Sequence, residues 1–339
     1  MAQTPLQLLQ SRTSVACATI DLEVPKTVGS FVDCTSDQVI AYLELHKPEH
    51  KKTIREAVSF ASSKEIVTLY PTVPREELVV EIITNPHFCY DTAATVDNAR
   101  SKLGYTLHGD PWWLIFVGIV HVSEILNPDV DTKRICINIP STWEGLQACR
   151  ILEPTRITTL ATAVFTLEQA SLAGEVGCHY IAPYVNELVV HFDPESFDDE
   201  KSLDFSVAAQ RYYKENNIVT QVLAASLTSV YEIMALAGVN HITVAPVLAQ
   251  ELAAAPVTSL DLKSIFDFRE FKGPLRWLPR SLPRFADDHN AFLSSNTLKL
   301  ANEGQSRLAN AIEIFRGFQD KLTHMMKIEM AEMGMEKGI

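Results

Sequence analysis

Short runs of apolar and β-branched residues alternate with longer segments of helical period along most of the chain. Runs of this length and composition predict strands, and their alternation with helices is typical of repeated βα units and a parallel sheet. The predicted strands are Val15–Thr19, Ser30–Thr35, Val79–Thr84, Ile135–Ile139, Thr159–Val164, His179–Val185, Thr220–Ala225 and His241–Ala245. They number eight, the count of a (β/α)₈ barrel.

The segments Pro48–Ser63, Tyr90–Leu103 and Ser229–Ala237 place apolar residues on one helical face, and they are predicted to be outer helices. Asp91 or Thr92 is suited to cap the amino end of the second of these helices.

A proline-rich segment, Gly273–Pro283, follows the last predicted strand, and a long helical pattern then runs from Leu298 to Lys327. We expect this helix to pack across the barrel. The chain is therefore predicted to form one domain over residues 1–339, with a helical extension at about 285–339. The methionine-rich end of the extension is typical of core packing.

Composition and charge narrow the possible partners. The chain has 339 residues, 47% of them hydrophobic, which is typical of a globular protein with a large core. A net charge of −13 argues against nucleic-acid binding. The apolar run Pro111–Val120 is about half the length of a membrane span and is predicted to be a buried helix. The amino-terminal segment does not resemble a secretory signal, so we expect no membrane association and a cytoplasmic location.

The six cysteines are scattered singly among apolar residues, and the ten histidines are equally dispersed. Reduced core residues are expected from this distribution. No spacing typical of a metal site is present, and we predict neither a metal nor a cofactor.

The segment Pro140–Ala148 reads PSTWEGLQA and resembles the S-T-W-x-G-x-x-A signature of the transaldolase family. Similar segments are Tyr90–Leu103, Phe165–Val185, Tyr212–Leu252 and Leu308–Leu322. The resemblance extends from about residue 8 to 325 and is weakest before Val79 and between Gly104 and Lys133. It implies a (β/α)₈ barrel and makes a homodimer possible.

Transaldolases use a lysine at the end of the fourth strand to form a Schiff base with a ketose. The matching position in this chain is Asn138, and an amide cannot form an imine. Lys133 lies five residues upstream, about 16 Å along a strand, and has the opposite side-chain parity. It is therefore not expected to replace the missing lysine.

The resemblance also implies changes at the other catalytic positions. Ala18 stands where the family has a proton-transfer aspartate, and Ile83 stands where it has a glutamate. Asp37 replaces an asparagine that binds substrate hydroxyls, and Leu160 replaces another asparagine. Thr162, which would help position the catalytic water of the family, is kept.

The phosphate-binding positions are altered in the same way. The serine and arginine of the family's S-P-F-x-G-R motif correspond to Ala182 and Glu187, with Tyr184 between them. A second phosphate-binding arginine corresponds to Thr228, whereas Ser226 is kept. Because alanine gives no hydrogen bond and glutamate repels phosphate, we do not expect a sugar phosphate to be held.

These positions predict a pocket at the carboxyl ends of the strands. Its expected catalytic residues are Asp37, Asn138, Tyr184 and Glu187. Buried carboxylates can have raised pKa values and act as general acid or base, and Asn138 and Tyr184 can donate hydrogen bonds to an oxyanion. The expected substrate-binding residues are Asp33, Thr35, Thr162, Tyr180, Ser226 and Thr228.

The leading hypothesis is a proton-transfer lyase, isomerase or cyclase of specialised metabolism, acting on a small, unphosphorylated and fairly apolar metabolite. One alternative is a catalytically inactive homologue that binds a metabolite or a protein. Another is a residual transaldolase or aldolase of carbohydrate metabolism. Asn138 can also be a space-filling residue, Glu187 a solvated rim residue, and Tyr184 a packing residue.

Overall fold

The structure is a computed structural model. It describes residues 3–21, 23–29, 31–52, 54–55, 79–102, 135–193, 195–196, 198, 202–254, 263–267, 284–295 and 298–335. Four sequence features lie outside these residues: the predicted helix Pro111–Val120, the proline-rich segment Gly273–Pro283, Lys133, and most of the predicted helix Pro48–Ser63.

Among the described residues, eight parallel strands pair in sequential order, and the last pairs with the first to close a barrel. The predicted parallel α/β architecture is confirmed. The strands are β1 (Ser14–Ala18), β2 (Asp33–Thr35), β3 (Val79–Ile83), β4 (Ile135–Pro140), β5 (Thr158–Val164), β6 (Tyr180–Pro183), β7 (Gln221–Ala224) and β8 (His241–Val244). The second strand is shorter than the predicted Ser30–Thr35, because pairing with β1 and β3 begins at Asp33.

Helices precede the first strand, connect the strands and follow the last one. They are α1 (Pro5–Gln10), α2 (Glu23–Val28), α3 (Gln38–Leu45), α4 (Thr92–Lys102), α5 (Trp143–Leu152), α6 (Leu167–Val176), α7 (Leu203–Glu215), α8 (Val230–Ala235), α9 (Pro246–Ala254), α10 (His289–Ser294) and α11 (Leu298–Glu332). Short 3₁₀ segments occur at Pro48–His50, Pro86–Phe88, Glu153–Thr155, Leu188–His191 and Ile265–Asp267.

Side-chain caps fix the points where strands turn into helices. The Thr142 hydroxyl accepts the Gly145 N–H at 2.9 Å at the start of α5, and Ser229 caps α8 in the same way. Asp91 rather than Thr92 caps α4, since its carboxylate accepts the Ala94 N–H at 3.0 Å. Such caps satisfy N–H groups that the first helical turn leaves unpaired. Short capped turns hold residues at the carboxyl ends of the strands in fixed positions.

Two apolar layers follow from the alternation of side chains along the strands. Ile137 and Ile139 of β4 face outward and pack with the surrounding helices. Leu160 and Leu223 face the barrel interior, where they form a cluster with residues of α11. The interior cluster contains Leu308, Ala311, Ile312 and Phe315 from that helix.

The long helix α11 packs against α3 and the 3₁₀ segment Leu188–His191, as well as β5. The predicted packing of this helix across the barrel is thus observed, and the helix continues to Glu332 rather than ending at Lys327. Met326 and Met330 near its end are buried beside Leu45 of α3, so these two methionines are core residues.

All six cysteines are free, and five of them are buried. Among the residues that the structure describes, no helix has the length and apolarity required to cross a bilayer.

Candidate functional site

A cavity of about 270 Å³ opens at the carboxyl ends of the strands, where (β/α)₈ barrels form their sites. Its walls are largely apolar, with a few polar groups between them. The described lining residues are Ala18, Thr35, Ser36, Asp37, Val39, Ile40, Leu43, Asn138, Leu160, Thr162, Ala182, Tyr184, Leu188, His191, Phe192, Leu223, Ala225, Ser226, Leu227, Thr243 and Ala245. None of these residues is a lysine or an arginine.

Most positions that the family resemblance singled out lie around this one cavity. They are Ala18, Asp37, Asn138, Leu160, Thr162, Ala182, Tyr184 and Ser226. They come from six of the strands or the loops that follow them, and are far apart in sequence. Residues that are distant in the sequence thus line one cavity.

Asn138 lies on β4, in register with Ile83 of β3 and Leu160 of β5. It is 6% exposed and lines the cavity. Its side-chain oxygen is buried and accepts no hydrogen bond from the described residues. Leaving a buried acceptor unpaired costs about 1–3 kcal/mol. The amide therefore offers the cavity an acceptor that a ligand hydroxyl or amine can satisfy.

Asp37 follows β2 and caps α3, where its carboxylate accepts the Ile40 N–H at 2.8 Å. The side chain is half-buried at the cavity wall. Burial raises the pKa of the Asp37 carboxyl to about 6, against the lowering effect of hydrogen bonds from the Ile40 and Val39 backbone. A carboxyl group that titrates near neutral pH can both give and take a proton.

Because the pKa of Asp37 is raised, its ionisation is expected to lower the free energy of unfolding as the pH rises. The folded state binds the proton more tightly than the unfolded state, whose carboxyl has a pKa near 3.8. The contribution of this group to stability is therefore fully present below pH 3.8 and is lost as the pH rises through about 6. Asp37→Asn should raise the free energy of unfolding at pH 7.5 by on the order of 1–3 kcal/mol, because Asn is an equally good cap.

Urea denaturation at pH 4.5 and 7.5 measures this difference, which should shrink at the lower pH. Asp91→Asn is the matched control, since Asp91 caps α4 from an exposed position outside the cavity. A gain of stability that is equal at both pH values would contradict the assigned pKa.

Two polar contacts orient further side chains in the cavity. The Thr162 hydroxyl donates to the Tyr184 phenol oxygen at 3.2 Å, and the Tyr184 ring packs edge-on against Phe165. The hydroxyls of Thr35 and Thr243 lie 2.5 Å apart. These contacts hold the tyrosine and both threonines in defined orientations on the cavity wall.

The structure adds His191, which the sequence analysis did not select. Its ring reaches solvent at the cavity mouth, and its Nε2 atom lies 2.8 Å from the Ser226 Oγ atom. Burial of part of the ring lowers the pKa of His191, while the charge of Glu232 opposes this effect. The only sequence signal was a histidine shortly after the predicted sixth strand, and nothing distinguished it from nine other histidines.

The family model described as Transaldolase/Fructose-6-phosphate aldolase matches residues 32–294. The chain belongs to this family. It is 28% identical over 304 residues to the transaldolase of Alteromonas mediterranea, covering 87% of this chain and 83% of the relative. It is 27% identical over 344 residues to the transaldolase of Histophilus somni, covering 95% of this chain and 98% of the relative. The transaldolase of Chlamydia felis is 28% identical over 247 residues, covering 70% and 73%.

Two polar positions that the family resemblance placed at the phosphate end do not line the cavity. Glu187 is 30% exposed and forms an ion pair with Arg307 of α11, with 3.3 Å between Oε1 and Nε. Thr228 is exposed, and its N–H and hydroxyl both donate to Glu232 at 2.8 and 3.0 Å. The sequence analysis predicted both residues at the pocket, whereas the structure binds each to a charged residue outside the described cavity lining.

Asp33 and Tyr180 of this transaldolase-family chain also lie away from the cavity lining. Each is the first residue of its strand, at the amino end of the barrel. Tyr180 pairs in register with Leu160, which in turn pairs with Asn138. Because the strands of a barrel are staggered along its axis, residues that share a register lie at different distances from the mouth. Tyr180 instead packs edge-on against His241. Both side chains are thus further from the mouth than the sequence suggested.

No group of three or more His, Cys, Asp or Glu side chains suited to a metal ion occurs among the residues that the structure describes.

Proposed function

We propose that this member of the transaldolase family catalyses proton transfer without a Schiff base, on a small, unphosphorylated and largely apolar metabolite. The observation that carries this proposal is Asn138. It lies in the cavity on β4, where the resemblance assigns the family's lysine, and no described residue of the cavity wall is a lysine.

In the proposed reaction, Asp37 is the acid and base. Its pKa of about 6 leaves it able to exchange a proton with a bound ligand near neutral pH. The Asn138 Nδ2 atom and the Tyr184 phenol, which Thr162 orients, would donate to an oxygen that gains negative charge. The buried Asn138 Oδ1 atom would accept a hydrogen bond from a ligand hydroxyl or amine. Lyases, isomerases and cyclases use such a step.

The walls of the cavity support the substrate class. Val39, Ile40, Leu43, Leu188 and Phe192 offer apolar surface to a ligand. With no lysine or arginine among the described lining residues, a phosphate group would lack a fixed cation. A volume of about 270 Å³ suits a small metabolite.

A second candidate function is a retained transaldolase or aldolase activity. The relatives named transaldolase align over most of their length, and Thr162 and Ser226 are kept in the cavity. This activity requires an amine that reaches the bound ketose. A third candidate is binding alone, in which Asn138 and Asp37 hold a ligand that is released unchanged.

Borohydride trapping separates the first two candidates. The protein is incubated with dihydroxyacetone or fructose 6-phosphate and reduced with sodium borohydride. Intact-protein mass spectrometry then measures whether the mass of the chain has increased by that of an adduct. We expect no adduct on this protein. The Alteromonas mediterranea transaldolase is the positive control and should form the adduct. A stoichiometric adduct on any lysine of this chain would overturn the proposal.

Complementation separates catalysis from binding. The metabolites of the source organism are compared between a strain with the gene and a strain without it. The deleted strain is then complemented with the wild-type gene, with Asp37→Asn or with Asp91→Asn, and its metabolites are measured again. Loss of a general acid or base reduces the rate by about 10²–10⁴-fold, so we expect product formation to fail with Asp37→Asn and to recover with Asp91→Asn. Full recovery with Asp37→Asn would contradict its role as the proton-transfer group.

A further inference from the structure

A histidine and a serine that the proposed reaction does not use lie together in the cavity. The His191 Nε2 atom is 2.8 Å from the Ser226 Oγ atom, and both residues line the cavity. His191 ends the 3₁₀ segment that follows β6, whereas Asp37 follows β2. Because β2 and β6 are four strands apart in a closed barrel of eight, the two groups belong to opposite walls.

The backbone of Ser226 is held in a conformation that serine rarely adopts. Its φ of 58° lies in the left-handed region, just after the end of β7. The Asn186 backbone N–H and Nδ2 atom both donate to the Ser226 carbonyl, at 3.2 and 2.8 Å. Asn186 is itself fixed by the buried Glu232, at 3.0 Å. Strained backbone of this kind persists where the surroundings over-determine it, and it clusters at functional sites.

The electrostatic environment suits His191 to accept a proton. Burial lowers the pKa of the ring from 6.5, so the neutral form predominates at pH 7. The negative charge of Glu232 acts in the opposite sense and would stabilise the imidazolium once it forms. Of the other nearby charges, Glu187 is paired with Arg307, and Asp193 is hydrogen-bonded to Ser196.

We propose that Ser226 is a nucleophile, with His191 as its general base, and that the pair reacts with small apolar carboxylic esters or thioesters. The hydroxyl–imidazole contact is the geometry that activates serine in acyl transfer. Leu188, Phe192 and Leu227 supply apolar surface in the same cavity for the acyl chain. This activity is separate from the proton transfer proposed for Asp37.

The step balances as an acyl transfer. A bond forms between the Ser226 Oγ atom and the acyl carbon, and the bond from that carbon to the ester oxygen or thioester sulfur breaks. The serine proton moves to the His191 Nε2 atom and then to the leaving alcohol or thiol. Water, deprotonated by the same imidazole, hydrolyses the acyl-serine and restores both residues.

An alkyl fluorophosphonate tests the nucleophile directly, because it phosphonylates an activated serine with loss of fluoride. Intact-mass spectrometry should show one phosphonyl group per chain, and peptide mapping should place it on Ser226. Ser226→Ala should abolish labelling because it removes the nucleophile, and His191→Gln should slow labelling at least about 100-fold, a typical loss for a missing general base. Matched controls are the exposed residues Ser294 and His87, changed in the same way.

The pH dependence of labelling tests the base. The rate should rise as His191 loses its proton, with an inflection below pH 6.5. Glu232→Gln removes the charge that raises the pKa of His191, so the inflection should move to lower pH. Circular dichroism must show that each variant is folded.

Absence of labelling in the folded wild type, equal labelling of Ser226→Ala, or a rate independent of pH would overturn the proposal. Such a failure is distinguishable from failure of the proposed proton-transfer function, which is judged by borohydride trapping and by Asp37→Asn.

Discussion

Phe315→Ala is expected to lower the free energy of unfolding by about 3–5 kcal/mol, the usual cost of deleting a buried phenylalanine side chain. Phe315 lies on α11 and is 0% exposed. Its ring packs in the interior cluster with Leu160, Tyr184 and Leu223. The cost combines the lost burial of the ring with the cavity left behind, since the strands cannot collapse inward to fill it.

Urea denaturation followed by circular dichroism measures this loss. Val219→Ala is the control, because Val219 is 87% exposed and its truncation should change the free energy of unfolding by less than about 0.5 kcal/mol. Equal effects of the two substitutions would contradict the packing of α11 over the barrel. Tyr184 and Leu188 also line the cavity, so Phe315→Ala should in addition weaken ligand binding there.

Gly145→Ala should be strongly destabilising, by about 1–3 kcal/mol or more, as for other overpacked sites. A Cβ atom at Gly145 would overlap the carbonyl oxygen of Pro140 and press on Ile139, both at the end of β4. These are backbone and buried side-chain atoms, so relief requires α5 and β4 to move apart. Asn138 lies on the same strand and would move with it.

Gly317→Ala is the matched control for this substitution. Gly317 lies within α11, and a Cβ atom there would meet no atom within 4 Å. Alanine should stabilise this helix by about 0.5–1 kcal/mol relative to glycine. Thermal melting of both variants measures the contrast, and a stable, unchanged Gly145→Ala protein would show that the α5–β4 contact is looser than described.

The architecture could be predicted from the sequence because strands and helices follow from local patterns of apolar and polar residues. Apolar runs and helical periods marked the alternation of strands and helices, and the segment at Pro140–Ala148 marked the family. Side-chain parity on β4 follows from the two-residue repeat of a strand, so placing Asn138 in the barrel interior needed no coordinates. Asp37 was selected through the family resemblance, as the residue that replaces an asparagine after the second strand.

The stagger of the strands was not predictable in the same way. Tyr180 and Leu160 share a register, yet only Leu160 lines the cavity, because barrel closure shifts neighbouring strands along the axis. Glu187 and Arg307 are brought together by the packing of α11, and this contact removes the glutamate from the pocket. No periodicity in the sequence encodes a pairing between such distant positions.

By itself, the sequence determined that this protein has parallel βα units and belongs to the transaldolase family. It also predicts an amide, Asn138, at the position that the resemblance assigns to the family's lysine. The tertiary structure alone decided which polar groups share the cavity. It buried Asp37 enough to raise the pKa of its carboxyl, and it placed His191 against Ser226. Burial and contact between distant residues depend on three-dimensional packing, whereas strands and helices follow from the order of neighbouring residues.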